Sequence, residues 1–313
     1  MILEDFITID KTGLYCRYGN FYLDPKEPTI DAVISHAHGD HAIGGHLNVY
    51  CTEATSLFMK HRYRKNAGAN FGLHTYHQKF NVNGVDITFV PAGHILGSAM
   101  VLMEYQGTRY LYTGDYKLQP DATCEPIEFV KADVLITETT FADSNTQHPD
   151  AEDEILKLNS TQSNIMLGAY VLGKSQRLID LMTKYCSQKR ILVHFSMMPF
   201  LKIYEEMGVN PGKYEIYDRK VMKANPANMV YLVPPMVYNS YSRAINVVRV
   251  FATGWKHLQK GNEIQLLISD HADWKDILKT IEQVEPTEVW TNHGDGRELK
   301  SHYEDRLIVK SLN

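Results

Sequence analysis

The stretch Ala32–Gly45, AVISHAHGDHAIGG, crowds His36, His38, Asp40 and His41 into six residues directly after a short apolar run. No other feature constrains the fold as tightly. Three imidazoles and a carboxylate serve no purpose in a packed core, and burying them unpaired is costly. His36 and His38 are two apart in an extended segment, so they point to the same side. Asp40 and His41 follow as the loop turns toward a helix and can face a second ligand. The chain must therefore hold this loop at a strand end and bring further ligands to it from elsewhere.

Three other sites repeat the pattern. His94 in FVPAGHILGSA, Asp115 in YLYTGDY and His293 in VWTNHGD each sit where a strand gives way to a loop. That is the usual place for functional groups on a rigid sheet. Together with the first loop they supply five histidines and two aspartates, the right inventory for two zinc ions. Zinc takes imidazole nitrogen and carboxylate oxygen, and a catalytic site keeps a position for water. A pair of metals can hold both oxygens of an in-line phosphoryl displacement. A lone loop histidine is ordinarily a surface or satisfied core residue. His46, His61, His74, His77, His148, His257 and His302 fall in that class, and so does His194, the one of them that could be an exception.

Other readings are excluded or narrowed. The four cysteines, Cys16, Cys51, Cys124 and Cys186, are far apart and form no C-x-x-C pair. This argues against a disulfide framework or a cysteine zinc finger and fits a reducing cytoplasm. No run of about 18 apolar residues is present, so no membrane span is expected. The start, MILEDFITIDKTG, has early acidic residues and does not read as a signal peptide. The net charge of -5 is not that of a nucleic-acid binder taken whole. The charge is unevenly spread, however. Ala151–Lys260 carries 15 Lys+Arg against 8 Asp+Glu, leaving 17 against 29 elsewhere. Chance clustering on solvated helices explains this, and so does a basic insert facing an anionic ligand.

The first 140 residues read mostly as strands and short turns: a hairpin in LYCRYGNFYLDP, strands in DAVISH, VDITFVPAGH and ADVLITETT, and a helix in TEATSLFMKHRYRK. Near Pro149 the texture changes. PDAEDEILKL opens a helix with acidic first-turn residues. NIMLGAYVLGKSQRL, RILVHFS and NMVYLVPP then read as a βαβ-type region with a small parallel sheet. Near Val250 the chain returns to the earlier style.

The motifs SHAHGDH, GHILGS and TGDY resemble the successive metal motifs of the metallo-β-lactamase fold. LITETT, SDHADW and TNHGD resemble the additional motifs of its nucleic-acid-cleaving β-CASP branch. VLGKSQRL, FATGW and LLISDHADW are further similar to the bacterial exonucleases associated with DNA ligase. The resemblance implies an α/β fold: a four-layer αββα sandwich in two halves, 1–148 and 254–313, with a small α/β β-CASP cap inserted at 149–253. It implies that His36, His38 and His94 bind one Zn2+ and Asp40, His41 and His293 a second, with Asp115 bridging; Mn2+ or Fe could replace zinc. The metals would activate water for attack on phosphorus. His271 would protonate the leaving oxygen as general acid, and Glu138 would orient His271. The catalytic set is then Asp40, Asp115, Glu138 and His271. Asp24 in FYLDP matches a structural motif that supports the metal loop.

Gly173, Lys174 and Ser175 open a helix, where Lys174 and Ser175 could bind a substrate phosphate; a plain helix start explains them equally well. Tyr170 could stack on a base. The leading expectation is a two-zinc nuclease acting on DNA as an exonuclease in repair, with a DNA ligase and a helicase as functional associates and no membrane partner. The alternatives are an RNA-processing ribonuclease, a thioesterase-like metallo-hydrolase and a catalytically dead scaffold.

Overall fold

The computed structural model describes residues 1–224, 227–241, 246–294, 296–304 and 306–312. The chain is mixed α/β and divides into two units. One comprises Met1–Pro120, Cys124–Gln147 and His271–Asn313, the other Asp121–Thr123 and His148–Asp270.

The first unit holds two sheets. The six-stranded one follows chain order: Ile7–Asp10, Gly13–Cys16, Phe21–Leu23, Asp31–Val33, Asn48–Cys51 and Asn70–Leu73. Its first three strands pair antiparallel and the later pairs are parallel. The expected hairpin is present, with Leu14 opposite Leu23. The seven-stranded sheet has the order Ile308–Ser311, Glu288–Asn292, Val134–Glu138, Thr108–Tyr112, Ala99–Tyr105, Val85–Pro91, Lys79–Val82.

Alternation along these strands sorts side chains to two faces. Val101 and Met103 join one cluster with Phe6, Phe21 and Val33 of the other sheet, so the two sheets share a core. Met100 and Leu102 turn to a second cluster with Ile277, Ile281 and Val284. Those three residues form the apolar stripe of the helix Trp274–Val284, whose N-cap Asp273 accepts from the Asp276 N–H. On the far face of the first sheet, Ala32, Ile34 and Val49 pack with Met59 of the helix Glu53–Tyr63.

One consequence of strand direction positions the site. Thr108–Tyr112 pairs parallel with Val134–Glu138, which pairs parallel with Glu288–Asn292. Val85–Pro91 runs the same way, because Ala99–Tyr105 is antiparallel to both Val85–Pro91 and Thr108–Tyr112. Four strands thus end at one edge of the sheet. There lie Glu138 and, just beyond the other three ends, His94, Asp115 and His293.

The second unit is built on a six-stranded sheet whose neighbouring strands are all parallel. The order is Glu215–Ile216, Arg190–Val193, Met229–Val233, Ile165–Gly168, Val248–Ala252, Ile264–Leu266. Ile165–Gly168 is buried along its whole length, as a central parallel strand should be. Leu178, Ile179 and Met182 of the helix Lys174–Tyr185 pack on this sheet. The segment following residue 253, grouped by sequence with the returning half, adds the edge strand Ile264–Leu266 here. Val250, Phe251 and Ala252 supply its ladder partners.

Candidate metal centre

Asp24, at a positive φ of 44°, anchors the first loop from the neighbouring strand. Its Oδ1 accepts from the Ser35 N–H (2.7 Å), and its Oδ2 accepts from Ser35 Oγ and from the Tyr112 hydroxyl (3.0 Å). His41 Nδ1 lies 2.9 Å from the same Oδ2. Ser35 Oγ is also 3.0 Å from His36 Nδ1. The outer nitrogens of His36 and His41 are thereby tied down, and each ring turns its Nε2 inward. Asp115 approaches from a tight turn. Gly114 has a φ of 52°, and a Cβ there would lie 2.6 Å from Ser35 Oγ, so only glycine lets the turn close on Ser35.

The inward atoms converge. His38 Nδ1 is 3.2 Å from His36 Nε2 and 3.0 Å from His94 Nε2. Asp115 Oδ2 is 3.5 Å from His36 Nε2 and 3.7 Å from His94 Nε2. Ligands held about 2.0–2.1 Å from a tetrahedral zinc are themselves about 3.3 Å apart. The four atoms fit that spacing. The same Asp115 oxygen stands 3.5 Å from His41 Nε2, so it faces two sets of histidines at once.

The second set is looser. Asp40, largely exposed, places Oδ2 3.9 Å from His41 Nε2. The His293 ring is 5.6 Å from that of His41, on a backbone at φ 55°. A left-handed conformation in a non-glycine residue marks a constrained position. Among the described residues, the tight groupings able to hold a metal ion are His36–His38–His94–Asp115, Asp24–His36–His41 and Asp115–Glu138–His271; Asp40 and His293 lie in none of them. Asp24 already receives Ser35, Tyr112 and His41, which suits support rather than ligation.

The charges agree with ligation by His36 and His94. Burial, then the neighbouring His41, holds His36 well below the ordinary histidine range. Burial and His38 do the same to His94. Both rings are therefore neutral and can donate electron pairs. Burial opposes charge on His41, but Asp115 and Asp24 outweigh it and push its pKa up to about 10. Burial also opposes ionisation of Asp115, yet His41 and His271 hold its carboxyl well below the carboxylate range.

Glu138 and His271 meet as a pair. His271 Nδ1 is 2.9 Å from Glu138 Oε2 and 3.1 Å from Oε1. Glu138 is buried and also accepts from the Tyr116 N–H (3.1 Å) and Thr140 Oγ1 (2.7 Å). His271 keeps 30% of its side chain exposed and lies 3.8 Å from Asp115 Oδ2. With Nδ1 turned to Glu138, Nε2 is the ring nitrogen on the side of His271 away from that carboxylate.

Lys174 and Ser175 are not gathered here, and the structure corrects their reading as phosphate binders. Both are buried. Lys174 Nζ is 3.0 Å from Asp270 Oδ2 and donates to the Ile268 carbonyl, while Ser175 Oγ donates to Val171 O. Arg177 holds the other Asp270 oxygen at 3.1 Å. A cation already committed to a buried carboxylate is not offered to a ligand. Sequence reasoning missed Ser35, Tyr112 and Thr140. It also missed Lys117, whose buried ammonium donates to His94 O at 2.7 Å. Ser35 alone carried a signal, as the first residue of SHAHGDH.

Comparison with known proteins places these motifs. Residues 263–307 match the family model described as a Zn-dependent metallo-hydrolase RNA specificity domain, RMMBL. The chain is 29% identical over 311 residues to a protein of Opitutus terrae named Probable DNA ligase, covering 94% of this chain and 30% of that one. It is 32% identical over 120 residues to Endoribonuclease YSH1 of Eremothecium gossypii, covering 36% of this chain and 16% of the relative. The chain thus spans less than a third of the length of either relative. A crystal structure of a protein of unknown function from Enterococcus faecalis shares the fold. Its TM-score is 0.59 at 13% identity, over 92% of this chain and 79% of that one. Residues 263–307 thus carry the signature of a Zn-dependent metallo-hydrolase domain, and the histidine–aspartate cluster is of a composition suited to such a hydrolase.

Proposed function

We propose that the protein is a two-zinc nuclease that hydrolyses phosphodiester bonds of DNA, acting as an exonuclease on ends during repair. The observation that carries this reading is the four-ligand set around Asp115 Oδ2 beside the Glu138–His271 pair. His36, His38 and His94 would hold one metal and His41, Asp40 and His293 a second, with Asp115 shared. Bound zinc supplies Lewis acidity and brings the pKa of water toward about 7. The chain's own groups do the rest. Asp24 and Ser35 fix the ligand loop. Glu138 fixes the ring of His271 and favours its imidazolium, and His271 gives the Nε2 proton to the leaving oxygen. The reading takes the first unit as an αββα sandwich, supported by helices packed on the outer faces of two sheets with a common core, and the second unit as the family's cap.

DNA is favoured over RNA by extent of likeness. The match to the protein named as a DNA ligase runs over nearly the whole chain, whereas the match to the endoribonuclease covers about a third. A hydrolase of ends has a natural place beside an activity that joins them. RNA is the second reading, supported by the description of the family model over residues 263–307. The test is turnover of matched, end-labelled single-stranded DNA and RNA by the zinc-loaded protein and its Asp115→Ala variant. DNA shortened stepwise from an end, with loss of at least about a hundredfold in the variant, is expected. Equal cleavage by the variant sinks the mechanism, and RNA turned over in preference to DNA reverses the substrate.

A further inference from the structure

In the second unit, one end of the parallel sheet carries a row of rings that the metal centre does not use. Val193 is in register with Ile216 on one side and Leu232 on the other. The next residues of two of these strands, His194 and Tyr217, therefore leave the sheet at the same edge. Tyr217 stacks on Tyr231, with ring centres 3.9 Å apart and planes 22° apart. His194 lies 6.4 Å from Tyr231 and 4.3 Å from Phe195. Tyr241 is the C-cap of the helix Pro235–Ser240, which starts two residues beyond the strand Met229–Val233 that carries Tyr231.

The outer members of the row face solvent: Phe195 is 69% exposed and Tyr241 56%. Phe195 is held outward by a built turn. His194 Nδ1 accepts from the Ser196 N–H at 3.3 Å and lies 2.8 Å from Ser196 Oγ, capping the turn Phe195–Met197. Directly after Tyr217 comes the short helix Arg219–Ala224, which buries none of its residues. It presents Arg219, Lys220 and Lys223 to solvent. Asp218, just before the helix, accepts from the Lys220 N–H at 2.7 Å. Packing accounts for neither the exposed rings nor the unburied basic helix.

We propose that this end of the second unit is a stacking platform for single-stranded DNA, with bases on Phe195 and Tyr241 and phosphates along Arg219, Lys220 and Lys223. Rings accept any base face, and cations track a phosphate backbone without reading sequence. A duplex keeps its base faces covered, so the strand must be single. The proposal rests on the nucleic-acid reading of the protein and extends it to a surface made wholly of the second unit.

The test is fluorescence anisotropy with the full chain and a labelled thymidine oligomer of about 12 nucleotides, phosphorothioate-linked against cleavage. Phe195→Ala combined with Tyr241→Ala is expected to weaken binding at least about tenfold. An abasic oligomer of the same length is expected to bind weakly and to the same extent in both proteins. Lys220→Ala with Lys223→Ala is expected to flatten the dependence of log K on log salt by about 1.4. Thermal unfolding of each variant controls for folding, since the four positions are exposed. Unchanged binding by the aromatic variant, or equal binding of abasic and thymidine oligomers, overturns the platform. A uridine oligomer preferred by more than about tenfold overturns its assignment to DNA. Hydrolysis of bis(p-nitrophenyl) phosphate by the unaltered zinc-loaded chain is measured separately. Failure there refutes the hydrolase reading and leaves the binding result standing.

Discussion

Asp24 receives Ser35 twice, Tyr112 and His41 on two oxygens, so it has little left to offer a metal and much to do in aiming the ligands. Asp24→Asn replaces one acceptor oxygen by a donor facing donors. Zinc affinity is expected to fall about 10–100-fold, as for other outer partners of metal ligands; titration against a competing chelator dye reads this directly. In the proposed mechanism, His271 separates proton delivery from metal binding. His271→Ala is expected to slow cleavage of nucleic acid by about 10²–10⁴-fold, with zinc content unchanged. The loss should be far smaller on a p-nitrophenyl phosphodiester, whose leaving group needs no proton. Equal losses on both substrates would remove His271 from the general-acid role.

At the scale of an element, the helix Trp274–Val284 carries a polar mismatch. Its first-turn carboxylate, Asp276, is pushed up to about 6 by burial and by the adjacent Asp273. An acid with a raised folded pKa binds its proton more tightly in the folded state. Its contribution to stability is therefore present at low pH and is lost as pH rises from about 4 to about 6. Asp276→Asn is expected to stabilise the protein at pH 7 by on the order of 1 kcal/mol, discounting for partial exposure, and to change little near pH 4. Urea unfolding at the two pH values checks the sign.

The elements also mark what sequence could tell. The helix opened by PDAEDEILKL was legible because acidic residues fill its first turn, and it forms over Ala151–Leu156. The junctions at His94, Asp115 and His293 were legible because apolar strands stop abruptly at polar loops. Lys174 was not. A cation at a helix start reads the same whether it faces a phosphate outside or Asp270 inside, and the distance between positions 174 and 270 hides the pairing. The hold of Asp24 on Ser35 was hidden likewise, since it depends on Phe21–Leu23 and Asp31–Val33 lying side by side.

At the scale of the whole molecule, the proposed ligands come from segments scattered along the chain, so an unfolded chain has no preformed site. Metal is then a stabilising ligand of the folded state alone. Dialysis against a chelator is expected to lower the unfolding temperature by several degrees, and added zinc to restore it; an unchanged transition would mean that the residues described here hold no metal. The basic insert was visible as a charge imbalance, but its meaning was not: Lys174 and Arg177 spend their charge inside on Asp270, while Arg219, Lys220 and Lys223 spend theirs on solvent.

The pairing of Val134–Glu138 with Glu288–Asn292 has a consequence in time. Thr139 Oγ1 donates to Asn292 O across 153 residues of chain. On a ribosome the first of these strands emerges long before its neighbour, at about 5–20 residues per second, and closing so long a loop must await the second. His293 follows the late strand. A nascent chain thus carries the SHAHGDH loop, His94 and Asp115 through most of its synthesis before Glu288–Asn292 can dock and bring His293 to the same edge of the sheet.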